Sequence, residues 1–381
     1  AFGRENDIGV TFRAGGSSLN GQSQSDGIIV DVRRHFGGIE VLDEGRGVSV
    51  APGAMMADVN RVLAPYGYKL GPDPASMEIA TVGGVVANNS GGMKCGTKFD
   101  SYSTVTAMRF ILPSGTVVDS AAPDAEEKFA EAEPELAAGL LEIREQILAD
   151  DDLSAKIRKK FEIKNTTGYR LCAFLDAETP VEIYRRLMIG SEGTLGFISR
   201  VTFDTVPVPK KTTLAWIHFP DIPSAIEPVP DLVESGATAV EVMVAPALIV
   251  ASYNMPGAPD HWKELDPASA ALLVEFGGDD DKALGKYEKK AMKLLEGREL
   301  IREVEFSRDE EVIEINWRVR EGLHGLVGKM RLPGTALIVE DVCVPPARIA
   351  EGAEELRALL AEHEFLNGVA GHASAGNLHF M

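Results

Sequence analysis

The chain has 381 residues, of which 45% are hydrophobic and 25% are charged, with 38 glycines and 21 prolines. This is a globular composition, and it excludes a collagen-like, mucin-like or wholly disordered chain. The 58 acidic and 38 basic residues give a formal net charge of −20, so nucleic acid is not expected as a partner, because its phosphates would be repelled.

Size, cysteine usage and hydropathy further limit the expected number of domains, the presence of disulfides and the cellular location. At about 100–200 residues per domain, the length predicts two or three domains. Cys95, Cys172 and Cys343 lie far apart and form no CxxC pair, so no disulfide framework is expected. No apolar run approaches the ~18–20 residues of a membrane span, and no signal peptide opens the chain. We expect a cytoplasmic protein, with peripheral attachment at the inner membrane face left open, and a fragment of a longer chain.

The first part of the chain is predicted as short strands separated by glycine-rich turns. One short helix, Asp58–Pro65, interrupts them, and Asp58 is predicted to cap its N-terminus. Between about residues 122 and 162, apolar residues recur at helical spacing, which predicts an inserted, half-buried pair of helices. The other elements predicted here are the strands Val10–Phe12, Ile28–Val32, Gly47–Val50, Met108–Leu112 and Leu195–Phe203 and the helix Val181–Leu187.

A linker is predicted at Val206–Lys211, because two prolines and two lysines interrupt the apolar pattern there. The boundary near residue 206 divides the chain into domains 1–206 and 207–381. In the second domain strands alternate with helices, which is typical of an α/β layer. The predicted strands are Thr213–Phe219, Ala239–Val244, Ala270–Phe276, Glu299–Phe306 and Ala336–Cys343, and the predicted helices are Ala225–Glu234, Ala247–Tyr253, Lys282–Glu296, Ile313–Leu326 and Pro345–His363.

The first motif with chemical content is the run Arg-Ala-Gly-Gly-Ser-Ser-Leu-Asn-Gly at residues 13–21. Consecutive glycines let the backbone turn tightly and bring several N–H groups towards one anion. Ser17 and Ser18 add hydroxyl donors, so a phosphate or pyrophosphate is a natural ligand. A tight turn without any ligand is an equally compatible interpretation.

Two further glycine-rich segments follow. Gly71–Gly96 contains the runs Ala80–Gly84 and Asn88–Gly92, and its lack of large side chains would let a flat ligand lie against the backbone. The order Gly-Thr-Lys at residues 96–98 inverts the Gly-Lys-Ser/Thr order of the phosphate-loop motif, which disfavours a nucleoside-triphosphate site. No GxGxxG follows a strand, which disfavours an NAD site. Gly190–Ile198, at a helix-to-strand junction, is either a turn or another face of the same site.

Three glycine-rich segments in this order and spacing resemble the flavin-binding half of the vanillyl-alcohol-oxidase type flavoproteins, the FAD-linked oxidases. The resemblance implies an α+β chain with a two-part FAD-binding domain and an α/β substrate (cap) domain, whose antiparallel sheet is covered by helices. It implies non-covalent FAD, because Ser17 stands where some members carry a covalently linked His. The FAD-binding residues that it implies are Phe12, Arg13, Ala14, Gly15, Gly16, Ser17, Ser18, Pro74, Ala75, Ser76, Thr81, Gly83, Gly84, Asn88, Ser90, Gly91, Glu192, Gly193, Thr194, Gly196 and Ile198.

The run Gly-His-Ala-Ser-Ala-Gly-Asn-Leu-His at residues 371–379 holds two histidines seven residues apart. In a strand this spacing would point them to opposite faces, whereas in a loop with two glycines they could converge. Two converging imidazoles could bind a divalent metal or deprotonate a hydroxy acid; the alternative is two unrelated histidines near a strand.

This run resembles the GHxxxGNLH motif of the D-2-hydroxy-acid dehydrogenase branch, which includes D-lactate, D-2-hydroxyglutarate and glycolate dehydrogenases. The resemblance implies that His372 and His379 are ligands of a divalent metal such as zinc, and that Asn377 contacts the substrate. The family's Glu-His-Gly segment, with a third ligand and a catalytic His, would lie beyond Met381. Ala375 stands where the family often has Asp.

A further candidate is Arg320, in the predicted helix after Trp317. A guanidinium can bind a carboxylate bidentately, and the alternative is an arginine on a solvated helix face. By the resemblance, Arg320 matches the arginine that binds the substrate carboxylate. Val339 replaces a lysine of the relatives, for which Lys329 or Arg331 could substitute.

Together these features predict an FAD-dependent dehydrogenase that oxidises a D-2-hydroxy acid of the D-lactate or glycolate type to the 2-keto acid. The expected catalytic residues are Arg320, His372, Asn377 and His379. Electrons would pass to a quinone, a cytochrome or an iron–sulfur partner, and a homodimer is expected. An iron–sulfur cluster is expected only if a longer native chain carries it, since Asn165–Tyr169 resembles large D-lactate dehydrogenases with such a module. The alternatives are a flavin-binding electron-transfer subunit and a flavoenzyme of the same fold, such as an alkyl-dihydroxyacetone-phosphate synthase.

Overall fold

The structure is a computed structural model, and it describes residues 2–18, 21–330, 340–365 and 369–380. The chain divides into two compact units, which we call the N-terminal unit (Ala1–Val208) and the C-terminal unit (Pro209–Met381). Each unit combines helices with largely antiparallel sheets, so the predicted α+β class is confirmed.

The N-terminal unit is built around a five-stranded sheet of order β3-β4-β8-β6-β7, in which all neighbours are antiparallel. A separate parallel pair, β1 with β2, precedes it, and β5 pairs with β9. The strands are β1 (Val10–Arg13), β2 (Ile28–Asp31), β3 (Ile39–Leu42), β4 (Gly47–Val50), β5 (Tyr68–Lys69), β6 (Val105–Ile111), β7 (Val117–Asp119), β8 (Phe197–Asp204) and β9 (Val206–Pro207).

The helices of this unit pack on that sheet through an apolar core that includes Val85, Phe110 and Phe203. The helices are α1 (Phe2–Glu5), α2 (Met56–Leu63), α3 (Val82–Asn88), α4 (Ser101–Thr104), α5 (Ala125–Ala132), α6 (Pro134–Leu148), α7 (Asp151–Lys160), α8 (Ala173–Asp176) and α9 (Pro180–Met188).

The inserted helical segment differs from its prediction, because it forms three helices, α5 to α7, rather than a pair. Pro134 starts α6 at a position where its missing N–H costs nothing. Asp150 starts α7 by accepting a hydrogen bond from the Leu153 N–H at 2.9 Å. Phe129 and Leu140 of this segment are buried in the core of the unit.

Two further local predictions for this half are wrong. Helix α2 begins at Met56, so Asp58 lies in its first turn and pairs with Arg61 instead of capping the helix. The linker predicted at Val206–Lys211 is shorter, because Val206 and Pro207 pair with β5 and the next strand begins at Lys211.

In the C-terminal unit, two three-stranded antiparallel sheets, of orders β10-β12-β11 and β13-β15-β14, are joined by a bridge between Val242 and Gly371. The strands are β10 (Lys211–Phe219), β11 (Ala239–Val244), β12 (Ala270–Gly278), β13 (Glu340–Cys343), β14 (Val369–Ala370) and β15 (Asn377–Phe380). The helices are α10 (Ile222–Ile226), α11 (Val229–Glu234), α12 (Ala245–Asn254), α13 (Asp281–Leu295), α14 (Glu310–Met330) and α15 (Ile349–Glu362). Over the described part of the whole chain, no helix is both long and apolar enough to cross a membrane.

Some predictions for this half are also corrected. Glu299–Phe306 is not a strand, because the segment bonds β10 only at isolated points, such as Ile301 N–H to the His218 carbonyl. The helix predicted at Ala225–Glu234 is two short helices, α10 and α11, since Pro228 interrupts the chain between them. Residues 336–339 of the last predicted strand lie outside the described residues.

His218, in β10, is buried beside the indole of Trp262, whose Nε1 donates a hydrogen bond of 3.0 Å to His218 Nε2. Burial, with the nearby His261 and Arg302, lowers the pKa of His218 to about 4. The folded protein therefore holds this imidazole neutral well below the usual pKa of histidine.

We expect this buried histidine to make the C-terminal unit less stable as the pH falls from about 6.5 to about 4. In that window the unfolded chain takes up a proton that folded His218 does not, which costs up to about 3 kcal/mol of unfolding free energy. The His218→Gln variant keeps an acceptor for Trp262 but does not titrate. Urea unfolding followed by tryptophan fluorescence at pH 7 and pH 5 should show a smaller pH dependence in the variant, and an equal dependence would contradict this assignment.

Candidate active site

In the N-terminal unit, the first two glycine-rich segments lie against each other. A Cβ atom at Gly15, after β1, would lie 2.4 Å from the carbonyl oxygen of Ile79, so only glycine permits this approach. A Cβ at Gly84 would lie 3.5 Å from the Cβ of Ala14. Leu19 and Asn20 of the first motif lie outside the described residues.

The third glycine-rich segment contacts the end of α3, which belongs to the second. The Gly190 N–H donates to the Val86 carbonyl at 3.0 Å, and the Glu192 N–H donates to the Ala87 carbonyl at 2.8 Å. Asn88 Nδ2 also donates to Glu192 Oε1 at 2.5 Å. These bonds hold the loop after α9 against the C-terminal end of α3.

The first and third segments meet through aromatic rings. Phe12 and Phe197 stack with ring centroids 4.3 Å apart. Tyr169 shares a 2.8 Å hydrogen bond between its hydroxyl and Thr194 Oγ1, which connects the Asn165–Tyr169 segment to the same place. All three motifs that the sequence singled out therefore lie side by side in one unit.

The second segment is further fixed by a network that sequence reasoning missed. Asn89 ends α3 with a φ of 55°, and its Nδ2 donates to Asp100 Oδ2 at 3.0 Å. Arg170 Nη1 donates to the same oxygen at 2.8 Å. The Tyr102 N–H donates to Asn89 Oδ1 at 3.0 Å. The sequence sign that was available is Asp100 itself, a carboxylate four residues after the glycine-rich segment ends at Gly96.

The predicted FAD contacts differ in accessibility. Pro74, Thr81, Gly83 and Ile198 are buried, and the side chain of Ile198 belongs to the hydrophobic core. The residues that are exposed or half-buried are Phe12, Arg13, Ala14, Gly15, Gly16, Ser17, Ser18, Ala75, Ser76, Gly84, Asn88, Ser90, Gly91, Glu192, Gly193, Thr194 and Gly196.

The side chains and backbone of this region fit a phosphate-bearing cofactor. The glycine-lined approach of Gly15 to Ile79 leaves no side chain between the two loops. Thr81 Oγ1 is buried and has no hydrogen-bond partner among the described residues. Because an unsatisfied buried hydroxyl costs about 1–3 kcal/mol, a ligand group that bonds to it would be stabilised.

The C-terminal unit carries a second candidate cluster around a buried carboxylate, Glu241 of β11. Arg320, on α14, contacts Glu241 Oε2 through Nε at 3.0 Å and through Nη2 at 2.7 Å. His372, just after β14, has Nδ1 at 2.9 Å from the same oxygen. Arg320 is only 2% exposed, so the solvated-face alternative is wrong for it, whereas Arg318 is exposed and pairs with Glu314.

The two histidines converge. The ring centroids of His372 and His379 are 4.8 Å apart, with an interplanar angle of 84°. His379, in β15, forms a short hydrogen bond from Nδ1 to Asp341 of β13. A 3₁₀ turn at Ala373–Ala375 and a left-handed Gly376 separate the two histidines, so the spacing rule for a continuous strand does not apply.

Asn377, the third polar residue of this motif, is fully buried. Its Nδ2 lies 3.2 Å from the Cys343 Sγ. Its Oδ1 is buried and has no hydrogen-bond partner in the described ranges. This oxygen can therefore accept a hydrogen bond from a ligand.

The electrostatics of the cluster follow from burial and from its internal pairs. Burial raises the pKa of Glu241, but the charges of His372 and Arg320 outweigh it, so the net effect lowers this pKa. Burial lowers the pKa of His379, although its bond to Asp341 acts in the opposite direction. Glu241 is therefore ionised, and His379 favours the neutral form that can accept a proton or bind a metal.

The two imidazoles suit the nitrogen part of a metal site. Each Nδ1 contacts a carboxylate, which orients Nε2 as the coordinating atom, as is usual for metal-bound histidines. Among the described residues, no group of three or more His, Cys, Asp or Glu side chains could hold a metal ion. The side chain of Lys329, together with Arg331 and Val339, lies outside the described residues.

Glu241 is the residue of this cluster that sequence reasoning missed. It is the single charge in the apolar strand Ala-Val-Glu-Val-Met-Val. A carboxylate inside a buried strand requires compensating partners, so this isolated charge was a usable sign of a site.

Comparison with known proteins bears on both clusters. A family model for the FAD binding domain matches residues 1–121, and one for the C-terminal domain of FAD linked oxidases matches residues 208–381. The chain belongs to the FAD-linked oxidases. The family predicted from the glycine-rich motifs is thus confirmed.

Three proteins that this FAD-linked oxidase resembles are each less than 30% identical to it. It is 28% identical to a D-2-hydroxyglutarate dehydrogenase of Haemophilus influenzae, over 98% of this chain and 38% of that protein. It is 26% identical to a glycolate oxidase subunit of Bacillus subtilis, over 98% of this chain and 68% of that protein. A solved alkyldihydroxyacetonephosphate synthase matches with a TM-score of 0.68 at 15% identity, covering 99% of this chain and 66% of that one. The chain thus spans about two fifths of the dehydrogenase, and the synthase shows the fold alone.

We expect the Gly15→Ala variant to bind FAD about 5- to 150-fold more weakly, because overpacking against a backbone carbonyl costs about 1–3 kcal/mol. Gly139→Ala is the matched control, since a Cβ there would meet nothing within 4 Å, and it lies in α6, away from the three motifs. Titration of the apo-protein with FAD, followed by flavin fluorescence, measures both affinities. Equal affinities in two folded variants would contradict the placement of FAD at Gly15.

Proposed function

We propose that the chain is the catalytic part of an FAD-dependent dehydrogenase that oxidises a D-2-hydroxy acid of the D-lactate or glycolate type to the 2-keto acid. The observation that carries the proposal is the buried cluster of Arg320, His372 and His379 around Glu241. It combines a carboxylate-binding group with two imidazoles. The names of the relatives, a D-2-hydroxyglutarate dehydrogenase and a glycolate oxidase subunit, support the same substrate class.

In this proposal the residues of the C-terminal unit bind the substrate and manage its proton. The Arg320 guanidinium binds the carboxylate, which fixes the α-carbon. Asn377 contacts the substrate, as the resemblance implies, and leaves the hydroxyl proton to the base. FAD bound to the N-terminal unit supplies the acceptor for the hydride that leaves the α-carbon.

The hydroxyl proton needs a base, and His379 is the candidate within this chain. Its lowered pKa keeps Nε2 unprotonated near neutral pH. Nε2 cannot accept this proton while it coordinates a metal, so the metal-ligand role that the resemblance implies for His379 and the base role proposed here exclude each other at any one time. If a divalent ion such as zinc binds His372 and His379, it would polarise the hydroxyl, and the base would be another residue.

The electron acceptor is proposed to be a quinone, a cytochrome or an iron–sulfur protein rather than NAD, because no dinucleotide fingerprint follows a strand in the sequence. The likeness to the synthase does not favour its reaction, since 15% identity supports the fold alone.

Anaerobic addition of D-lactate, glycolate or D-2-hydroxyglutarate is expected to bleach the visible flavin absorption of the FAD-loaded protein, because the substrate electrons reduce the flavin. L-lactate should leave the absorption unchanged. The spectra should be recorded on residues 1–381 and on the full native polypeptide. Persistent absorption with all three acids in both preparations would exclude the proposed reaction and leave the fold assignment standing.

The Arg320→Lys variant is expected to lower kcat/KM by about 10- to 100-fold, because a hydrogen bond to a charged group contributes about 1.5–3 kcal/mol and lysine cannot bind a carboxylate bidentately. Arg318→Lys, two residues earlier on the same helix but exposed, is the control and should retain its activity. Steady-state turnover with an artificial electron acceptor measures both variants. Equal losses, or none, would contradict the role of Arg320.

A further inference from the structure

Glu241 is the residue that joins the parts of this cluster. Its side chain is completely buried in the middle of β11. Oε2 contacts Arg320 Nε at 3.0 Å and Nη2 at 2.7 Å, and His372 Nδ1 lies 2.9 Å from Oε2 and 3.1 Å from Oε1. One carboxylate thus contacts two side chains that come from different parts of the sequence.

The backbone around Glu241 makes this arrangement rigid. Val242, the next residue, exchanges two backbone hydrogen bonds with Gly371, the residue before His372, at 3.0 and 3.1 Å. A Cβ at Gly371 would lie 2.2 Å from the Asn377 carbonyl oxygen, so this crossing requires glycine. On its other side β11 pairs with β12, where Glu241 is opposite Leu273. The carboxylate and the imidazole are therefore both held by their neighbours in the sheet.

We propose that Glu241 is a positioning residue that holds the Arg320 guanidinium and the His372 ring in one fixed arrangement for catalysis. This inference rests on the function proposed above. By accepting from Nδ1, Glu241 selects the ring form with its proton on Nδ1 and directs Nε2 to the opposite side. By pairing with Nε and Nη2, it fixes the plane of the guanidinium.

A purely structural role for Glu241 predicts different behaviour. A buried carboxylate that only balances charge would affect how much protein folds, but not the rate of each folded, FAD-loaded molecule. A group that positions two reacting side chains would affect that rate, because a displacement of about 1 Å can cost about 100-fold. Normalising kcat to bound FAD separates the two roles.

The chain offers a matched control in Glu275 of β12, a second carboxylate buried in the same sheet. It accepts from Trp317 Nε1 at 2.7 Å and from Thr238 Oγ1 at 2.9 Å. The Glu275→Gln variant therefore replaces a buried carboxyl group that contacts other partners. Its kcat per bound FAD is expected to stay close to that of the wild type, even if its thermal stability falls.

Glu241→Gln is expected to lower kcat per bound FAD by about 100-fold. The KM should change less, because Arg320 keeps its charge. Glu241→Asp retains the charge but is one methylene shorter, so its kcat should lie between those of the wild type and Glu241→Gln. An unchanged kcat per bound FAD in a folded Glu241→Gln or Glu241→Asp variant would overturn the inference.

A second measurement, which locates the proton on the His372 ring, requires neither turnover nor the Glu241→Gln variant. ¹⁵N-histidine NMR of the FAD-loaded protein resolves its seven histidines, and loss of one signal set in His372→Asn assigns His372. We expect a proton on Nδ1 in the wild type, and altered His372 signals in Glu241→Asp. An unprotonated Nδ1 in the wild type would overturn the inference. If the wild type turns over none of the hydroxy acids, the proposed function fails. The NMR result then tests separately whether Glu241 positions the His372 ring.

Discussion

A carboxylate that is completely removed from water must be compensated, and in the C-terminal unit this requirement organises the candidate site. Glu241 is ionised in the middle of an apolar strand because Arg320 and His372 both contact it. Leaving one charge of such a pair buried alone would cost several kcal/mol. The sheet, α14 and the loop of the histidine motif are therefore constrained together, and the side chains proposed for substrate binding are kept within that constraint.

The N-terminal unit depends on a constraint of a different kind, which is the close approach of backbone to backbone. The loops after β1 and before α3 touch where a methyl group would already be too large. Such a contact leaves polar backbone and small hydroxyl groups at the surface of the loops, where a phosphate-bearing ligand can use them. The N-terminal unit thus uses glycine to bring backbone segments together, whereas the C-terminal unit uses a buried charge to fix the side chains around it.

Much of the fold could be predicted from local sequence. The apolar run Ala239–Val244 forms β11 with the bounds that its pattern predicts, because a short, nearly continuous run of apolar and β-branched residues is typical of a strand buried on both faces. Glu299–Phe306 resembles a strand but makes only isolated bonds to β10, since strand formation requires a partner along its whole length. The family, and hence the flavin, followed from three glycine-rich motifs whose order is visible in the sequence.

The candidate site was less accessible to sequence reasoning. Arg320 and His372 could be selected from their residue types. Their common partner, Glu241, is separated from them by 79 and 131 positions, and no sequence periodicity relates residues so far apart. The convergence of His372 and His379 depends on a 3₁₀ turn and a left-handed glycine between them, which the strand-like spacing conceals. The Asp100–Arg170 pair beside the second motif likewise results from tertiary packing.

The separation of 131 positions between Glu241 and His372 also has a consequence for the order of events during folding. A chain synthesised from its N-terminus produces the carboxylate long before the imidazole that shares its burial. Closing so long a loop is slow relative to forming local helices, so β11 cannot become fully enclosed until residues near 371 return to it. Completion of the hydrophobic interior around β11 and assembly of the proposed catalytic cluster are therefore coupled, because both require the residues near 371.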